Sequence, residues 1–113
     1  MTKSGFRIDV NKDVCPDLIA DVHDVPLASN TFDGGIADPP YTPDFAANLY
    51  GTKYPKWGAW TNELVRLVKP GGRIGIMQNY IVPRLKGCDF EEVIVILLRI
   101  KQYPKIVTVQ RKR

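Results

Sequence analysis

Nine consecutive residues limit what this chain can become: Asp33-Gly34-Gly35-Ile36-Ala37-Asp38-Pro39-Pro40-Tyr41. They read as a short buried strand that ends in a carboxylate, two prolines and an aromatic ring. Proline cannot donate to a sheet ladder, so the strand must stop at Asp38. The prolines then keep the backbone extended and stiff, which fixes the carboxylate relative to the ring.

The rest of the chain supplies strands and helices in order. Phe6-Arg7-Ile8-Asp9-Val10 alternates as a short strand, and Leu18-Ile19-Ala20-Asp21 is a second. Each finishes at or near an aspartate. A loop with a few apolar anchors, including Thr31-Phe32-Asp33, leads into the third strand. Thr42-Pro43-Asp44 has the chemistry of a helix start: a cap, a proline at the first position and an acid at the positive end of the dipole. Trp57, Trp60, Leu64, Leu67 and Val68 recur at helical spacing and predict a longer helix over Lys56 to Val68. Pro70-Gly71-Gly72 ends that helix, and Arg73 to Met77 is the next strand. Tyr80 to Lys86 is irregular. Val93 to Leu98 is a continuous apolar run, read as a strand buried on both faces. A helix opened by Glu91-Glu92 is the competing reading of that run. Ile106 to Val109 follows at hairpin distance and predicts an antiparallel pair. Alternating strands and helices of this kind predict an α/β fold.

At 113 residues the chain suits one domain, here 1–113. Its formal charge of +4 mildly favours contact with a polyanion. Cys15, Cys88 and His23 lack the spacing of a metal site. No apolar run reaches a membrane span, and no signal peptide is visible, so a cytoplasmic protein with reduced thiols is expected.

Asp38-Pro39-Pro40-Tyr41 resembles the catalytic tetrapeptide of S-adenosylmethionine-dependent methyltransferases that modify exocyclic amino groups of nucleobases. The N6-adenine and N4-cytosine DNA methyltransferases, including small phage-type proteins, fit best. Some RNA guanine-N2 methyltransferases carry a similar tetrapeptide. The string Asp21-Val22-His23-Asp24-Val25-Pro26-Leu27, then Thr31-Phe32-Asp33, is similar to the family's loop between its third and fourth strands. The resemblance implies a truncated Rossmann-like class I methyltransferase sheet, mostly parallel with a C-terminal antiparallel hairpin. Phe6 to Asp9 would be the family's second strand, and Val93 to Val109 its sixth and seventh. The family's first strand and glycine-rich loop have no counterpart. The second and fourth strands must then pair directly or leave a gap, so the chain is expected either to close up the sheet or to pair with another copy as a homodimer. Gly34 and Gly35 stand where the family usually has bulky residues, which suits a close backbone approach.

The resemblance also implies roles. Asp38 and the Pro39 carbonyl would accept the two N–H bonds of a base amine, freeing its lone pair and stabilising the growing positive charge. Tyr41 would stack on a base rotated out of the duplex. Asp9 would accept from the cofactor ribose hydroxyls. Asp21 and the Val22 backbone would meet the cofactor adenine. The sulfonium of S-adenosylmethionine carries an activated methyl group, so no metal is required. DNA is favoured over RNA as the partner, with adenine N6 the expected target.

Blander readings accompany each of these. The tetrapeptide alone could be a strand-ending turn with a packed tyrosine, and Asp9 a solvated strand-end charge. His23 reads as a loop residue, and Trp57 and Trp60 as helix packing. Lys53, Lys56 and the tail Arg111-Lys112-Arg113 read as solvated charges before phosphate contacts. For the whole chain, the alternative to an enzyme is an inactive methyltransferase-like remnant that binds nucleic acid or a partner protein.

Overall fold

The computed structural model describes residues 5–9, 11–38, 56–97 and 104–113. Their order is β1 (Ile8–Asp9), a 3-10 turn (Lys12–Val14), β2 (Leu18–Ile19), β3 (Phe32–Ala37), α1 (Trp57–Leu67), β4 (Val68–Gln78), β5 (Cys88–Ile96) and β6 (Lys105–Lys112). The expected helix after Thr42 lies outside the described residues.

β1 and β2 form a parallel pair, with Ile8 beside Leu18 and Asp9 beside Ile19. The other four strands make a second sheet in the order β3-β4-β6-β5. Among the described residues β1 and β3 do not pair, so the sheet is left divided. Phe6 and Phe32, at the starts of these two strands, place their rings 5.5 Å apart.

The larger sheet corrects the expected mostly parallel topology. β3 runs parallel to β4, but β6 is antiparallel to both β4 and β5. The hairpin does not simply extend the sheet. Its second strand inserts beside β4 and pushes β5 to the outside.

The longer helix forms as its spacing predicts, with Lys56 and Val68 as its caps. Trp60 is buried, and Trp57 meets it edge-on at 5.3 Å between ring centroids. Strand begins at once after Leu67, earlier than expected, and Pro70-Gly71-Gly72 lie within a wide irregularity of β4. Two steps along β3, from Phe32 to Gly34, correspond there to five along β4, from Val68 to Arg73. Gly71 takes a φ of +84°, a conformation that favours glycine. At Gly72 a Cβ would collide with the Asp33 carbonyl oxygen. Gly34 and Gly35 do permit close approach: a Cβ would stand 3.0 Å from the Arg73 carbonyl oxygen and 2.9 Å from Leu64 respectively. β3 also starts earlier than expected, since Phe32 and Asp33 belong to the strand, and it is not the buried strand that the sequence predicts: none of its residues is buried, because β3 is an edge strand of the larger sheet with only β4 beside it among the described residues.

Trp60, Val68, Ile74, Ile76, Val82, Leu85 and Cys88 form the apolar core between sheet, helix and the irregular segment 79–87. Polar side chains of β6 hold that segment down. Thr108 Oγ1 accepts from the Val82 N–H at 3.2 Å, and Gln110 accepts from Leu85 at 2.8 Å while donating to the Pro83 carbonyl at 3.0 Å. Both are fully buried, and such groups are tolerated in a core because they are paired.

β5 corrects a second expectation. Val93, Ile94 and Val95 are exposed rather than buried on both faces. A continuous apolar run looks the same in a central strand and an edge strand, and here β6 borders only one side.

Candidate functional site

In open α/β sheets, ligands gather beyond the carboxyl ends of strands. Asp9, Asp21 and Asp38 each follow or end a strand on that side. Asp9 closes β1 and is partly buried. Its carboxylate accepts the Asn11 N–H at 2.9 Å, and its carbonyl accepts the Ala20 N–H at 3.1 Å. Asn11 in turn accepts from Asp13 and opens the 3-10 turn. These bonds hold Asp9 against the end of β2, so the parallel pairing of β1 and β2 brings Asp9 and Asp21 to one end of the pair.

Asp21 is more heavily engaged than its sequence context suggests. Its Oδ1 accepts the His23 backbone N–H at 2.9 Å and meets His23 Nδ1 at 2.6 Å. The backbone bond first, then the ring bond, hold its carboxyl below the usual carboxylate range. His23 Nε2 accepts the Lys56 N–H at 2.9 Å. With Nε2 accepting, Nδ1 is the nitrogen that donates to Asp21. Val22 lies between them in sequence and is exposed. His23 is thus a loop residue, as expected, and also a bridge between the β2–β3 loop and the start of α1.

Asp38 directly follows β3 and is exposed. Ala37 before it packs on the core and pairs with Ile76, which fixes where β3 stops relative to β4. Pro39, Pro40 and Tyr41 lie outside the described residues. Asp38 belongs to the larger sheet and the two other aspartates to the smaller.

Two features escaped the reading of the sequence. Glu63 and Arg66 form a clasp on α1. Glu63 accepts the Val25 N–H at 2.6 Å, and Arg66 donates to Glu63, to Leu27 O at 2.8 Å and to Val25 O at 2.9 Å. Arg66 first, against the cost of burial, holds the Glu63 carboxyl below its ordinary value. The i,i+3 spacing of an acid and an arginine was the available signal. The second feature is Gln78. It continues the inward alternation of Ile74 and Ile76 at the carboxyl end of β4. Its buried Oε1 has no hydrogen-bond partner among the described residues.

The basic tail is solvated at Arg111 and Arg113, which stay exposed although paired, and departs from that expectation at Lys112. Arg111 pairs with Glu91 at 2.7 Å and donates to Gly71 O, and Arg113 pairs with Asp89 at 3.1 Å. Lys112 Nζ donates to Asn30 Oδ1, Val65 O and Val68 O at 2.7–2.9 Å. Lys53 lies outside the described residues. Among the described residues no cluster of three or more His, Cys, Asp or Glu could hold a metal. No described helix is long and apolar enough to cross a membrane.

No protein-family model and no curated protein matches the chain. Solved structures of a putative DNA modification methylase from Thermus thermophilus do. One, complexed with S-adenosyl-L-methionine, aligns with a TM-score of 0.57 at 18% identity, over 96% of this chain and 54% of that one. A second aligns at 0.57 and 20% identity over 96% and 54%. The selenomethionine form aligns at 0.54 and 21% identity over 81% and 50%.

The chain has a methyltransferase-like fold. It spans about half the length of the methylase it matches.

Proposed function

We propose that this chain is part of an S-adenosylmethionine-dependent methyltransferase acting on an exocyclic amino group of a nucleobase, with adenine N6 in DNA as the target. The supporting observation is Asp38: an exposed carboxylate at the end of β3, followed in sequence by Pro39-Pro40-Tyr41, in a chain that aligns with a methylase bound to the cofactor. Asp38 and the Pro39 carbonyl accept from the base amine, and Tyr41 stacks on the base. Asp9 and Asp21 with Val22 hold the cofactor, and residues 1–113 act as one truncated Rossmann-like domain.

Asp9 retains acceptor capacity beyond its bond from Asn11, because an ionised carboxylate offers about four lone-pair sites. Asp21 gives part of its capacity to His23, which leaves the Val22 backbone and the second carboxylate oxygen for the adenine. The cofactor supplies an activated methyl group; the residues bind, orient and take up charge.

A second reading is the inactive remnant that binds nucleic acid or a partner. The division between β1–β2 and the larger sheet favours it, since a split sheet offers a less rigid floor for a cofactor.

Titration calorimetry with S-adenosylmethionine separates the two readings. The first expects binding that Asp9→Ala abolishes; no heat at millimolar cofactor leaves the remnant. Label transfer to DNA should disappear in Asp38→Ala, and transfer that persists assigns the chemistry to another group.

A further inference from the structure

β5 and the residue after its end carry the longest exposed apolar run among the described residues. Val93, Ile94, Val95 and Leu97 are 44%, 42%, 57% and 79% exposed. β5 borders β6 on one side and no described strand on the other. After an irregularity between Phe90 and Glu92 its register runs unbroken from Glu92 to Ile96. Between Val93 and Ile96 the strand carries no charged residue and no proline, the side chains with which natural edges are usually blunted.

We propose that two copies of this chain pair antiparallel along β5, with Ile94 facing its own copy on a two-fold axis. Val93 then meets Val95 of the second copy, and Glu92 meets Ile96. Both members of each pair lie on the same face, so α1 of each copy falls on the same side of an eight-stranded sheet. Such an interface is isologous and closes after two copies.

Charge selects a second copy over other strands. Glu92, Ile94 and Ile96 share a face with Val109, Val107 and Lys105, their partners on β6. In the dimer Glu92 therefore stands in one cross-strand row with Ile96 and Lys105 of the other copy. The acid and the ammonium are two strand spacings apart, about 9.6 Å between backbones, which the two long side chains can bridge over Ile96. The two-fold axis makes this contact twice. β5 lies at the opposite edge of the sheet from β3, so pairing leaves Asp38 uncovered and does not depend on the proposed function.

Sedimentation equilibrium of the full chain tests this. The expected mass is twice the 12.7 kDa of one chain, and Ile94→Lys, which sets like charges against each other on the axis, should reduce it to one. Glu92→Lys should weaken the dimer roughly threefold or more, and adding Lys105→Glu should restore it. In a Cys15→Ser background, Ile94→Cys should oxidise to a covalent dimer, whereas Ile36→Cys on the other edge strand should not. A single-chain mass at micromolar concentration, an open-ended series of oligomers, or crosslinking through Ile36→Cys in place of Ile94→Cys would each overturn the proposal. The first of these would instead fit an edge that receives a strand from a different protein.

Discussion

The centre of the larger sheet and the β1–β2 pair are held in different ways. Around β4 and β6 the sheet is fastened by apolar burial: Ile74, Ile76, Val68 and Cys88 are essentially closed to water. The β1–β2 pair has no fully buried residue in either strand. Polar contacts fix it instead. The Arg7 N–H donates to Asp17 at 2.7 Å, and its guanidinium reaches Val14 O at 3.1 Å. The loop that follows is tied to α1 through Glu63, Arg66 and His23. Apolar packing gives the sheet its stability, and polar contacts give the candidate cofactor end its geometry. Such contacts contribute less each and open more readily.

The widest break in this contrast comes from the core. Ile76→Ala should cost about 2–5 kcal/mol in urea unfolding, whereas Ile8→Ala should cost less than about 2 kcal/mol. Equal losses would mean that β1 is as deeply packed as β4. Next, Gly72→Ala drives a methyl group against the Asp33 carbonyl and should cost about 1–3 kcal/mol, seen as a lower melting temperature.

A smaller effect sharpens the polar side. The Glu63 carboxyl is depressed below 4.5 in the folded chain, so its stabilisation is present above that value and is lost as pH falls through the depressed one. Glu63→Gln should therefore flatten the acid limb of a stability-versus-pH curve and lower stability at neutral pH by about 1 kcal/mol. A curve unchanged by the substitution would remove the clasp from the balance. The smallest expected change is His23→Ala: faster amide exchange at Lys56 and at the start of α1, with the unfolding midpoint almost unmoved.

The sequence marked the elements that local chemistry specifies. The tryptophan spacing placed α1, the prolines after Asp38 placed the end of β3, and the paired apolar runs placed the final hairpin. It did not reveal which of those two strands lies inside the sheet. Periodicity reports what a strand's faces prefer and says nothing of its neighbours, so β5 read as buried on both faces. For the site, the three aspartates stood out because each finishes a strand. The grip of His23 on Asp21 and on the helix start joins residues 33 positions apart in sequence, and no local pattern announces it. Lys112 was misread for the same reason, since its three acceptors lie 44 to 82 positions away.

Because β6 is threaded between two strands made before it, the order of synthesis and the order of assembly cannot coincide. Until residues 105–112 emerge, β4 has no antiparallel neighbour and β5 no neighbour among the described strands, and the helix-to-strand junction lacks the lysine that ties off its carbonyls. β3 and β4 can pair beforehand, but the open edge of β4 and the whole of β5 must wait, and their closure should arrive late, at the moment when a nascent chain is most exposed to capture by other unfinished strands.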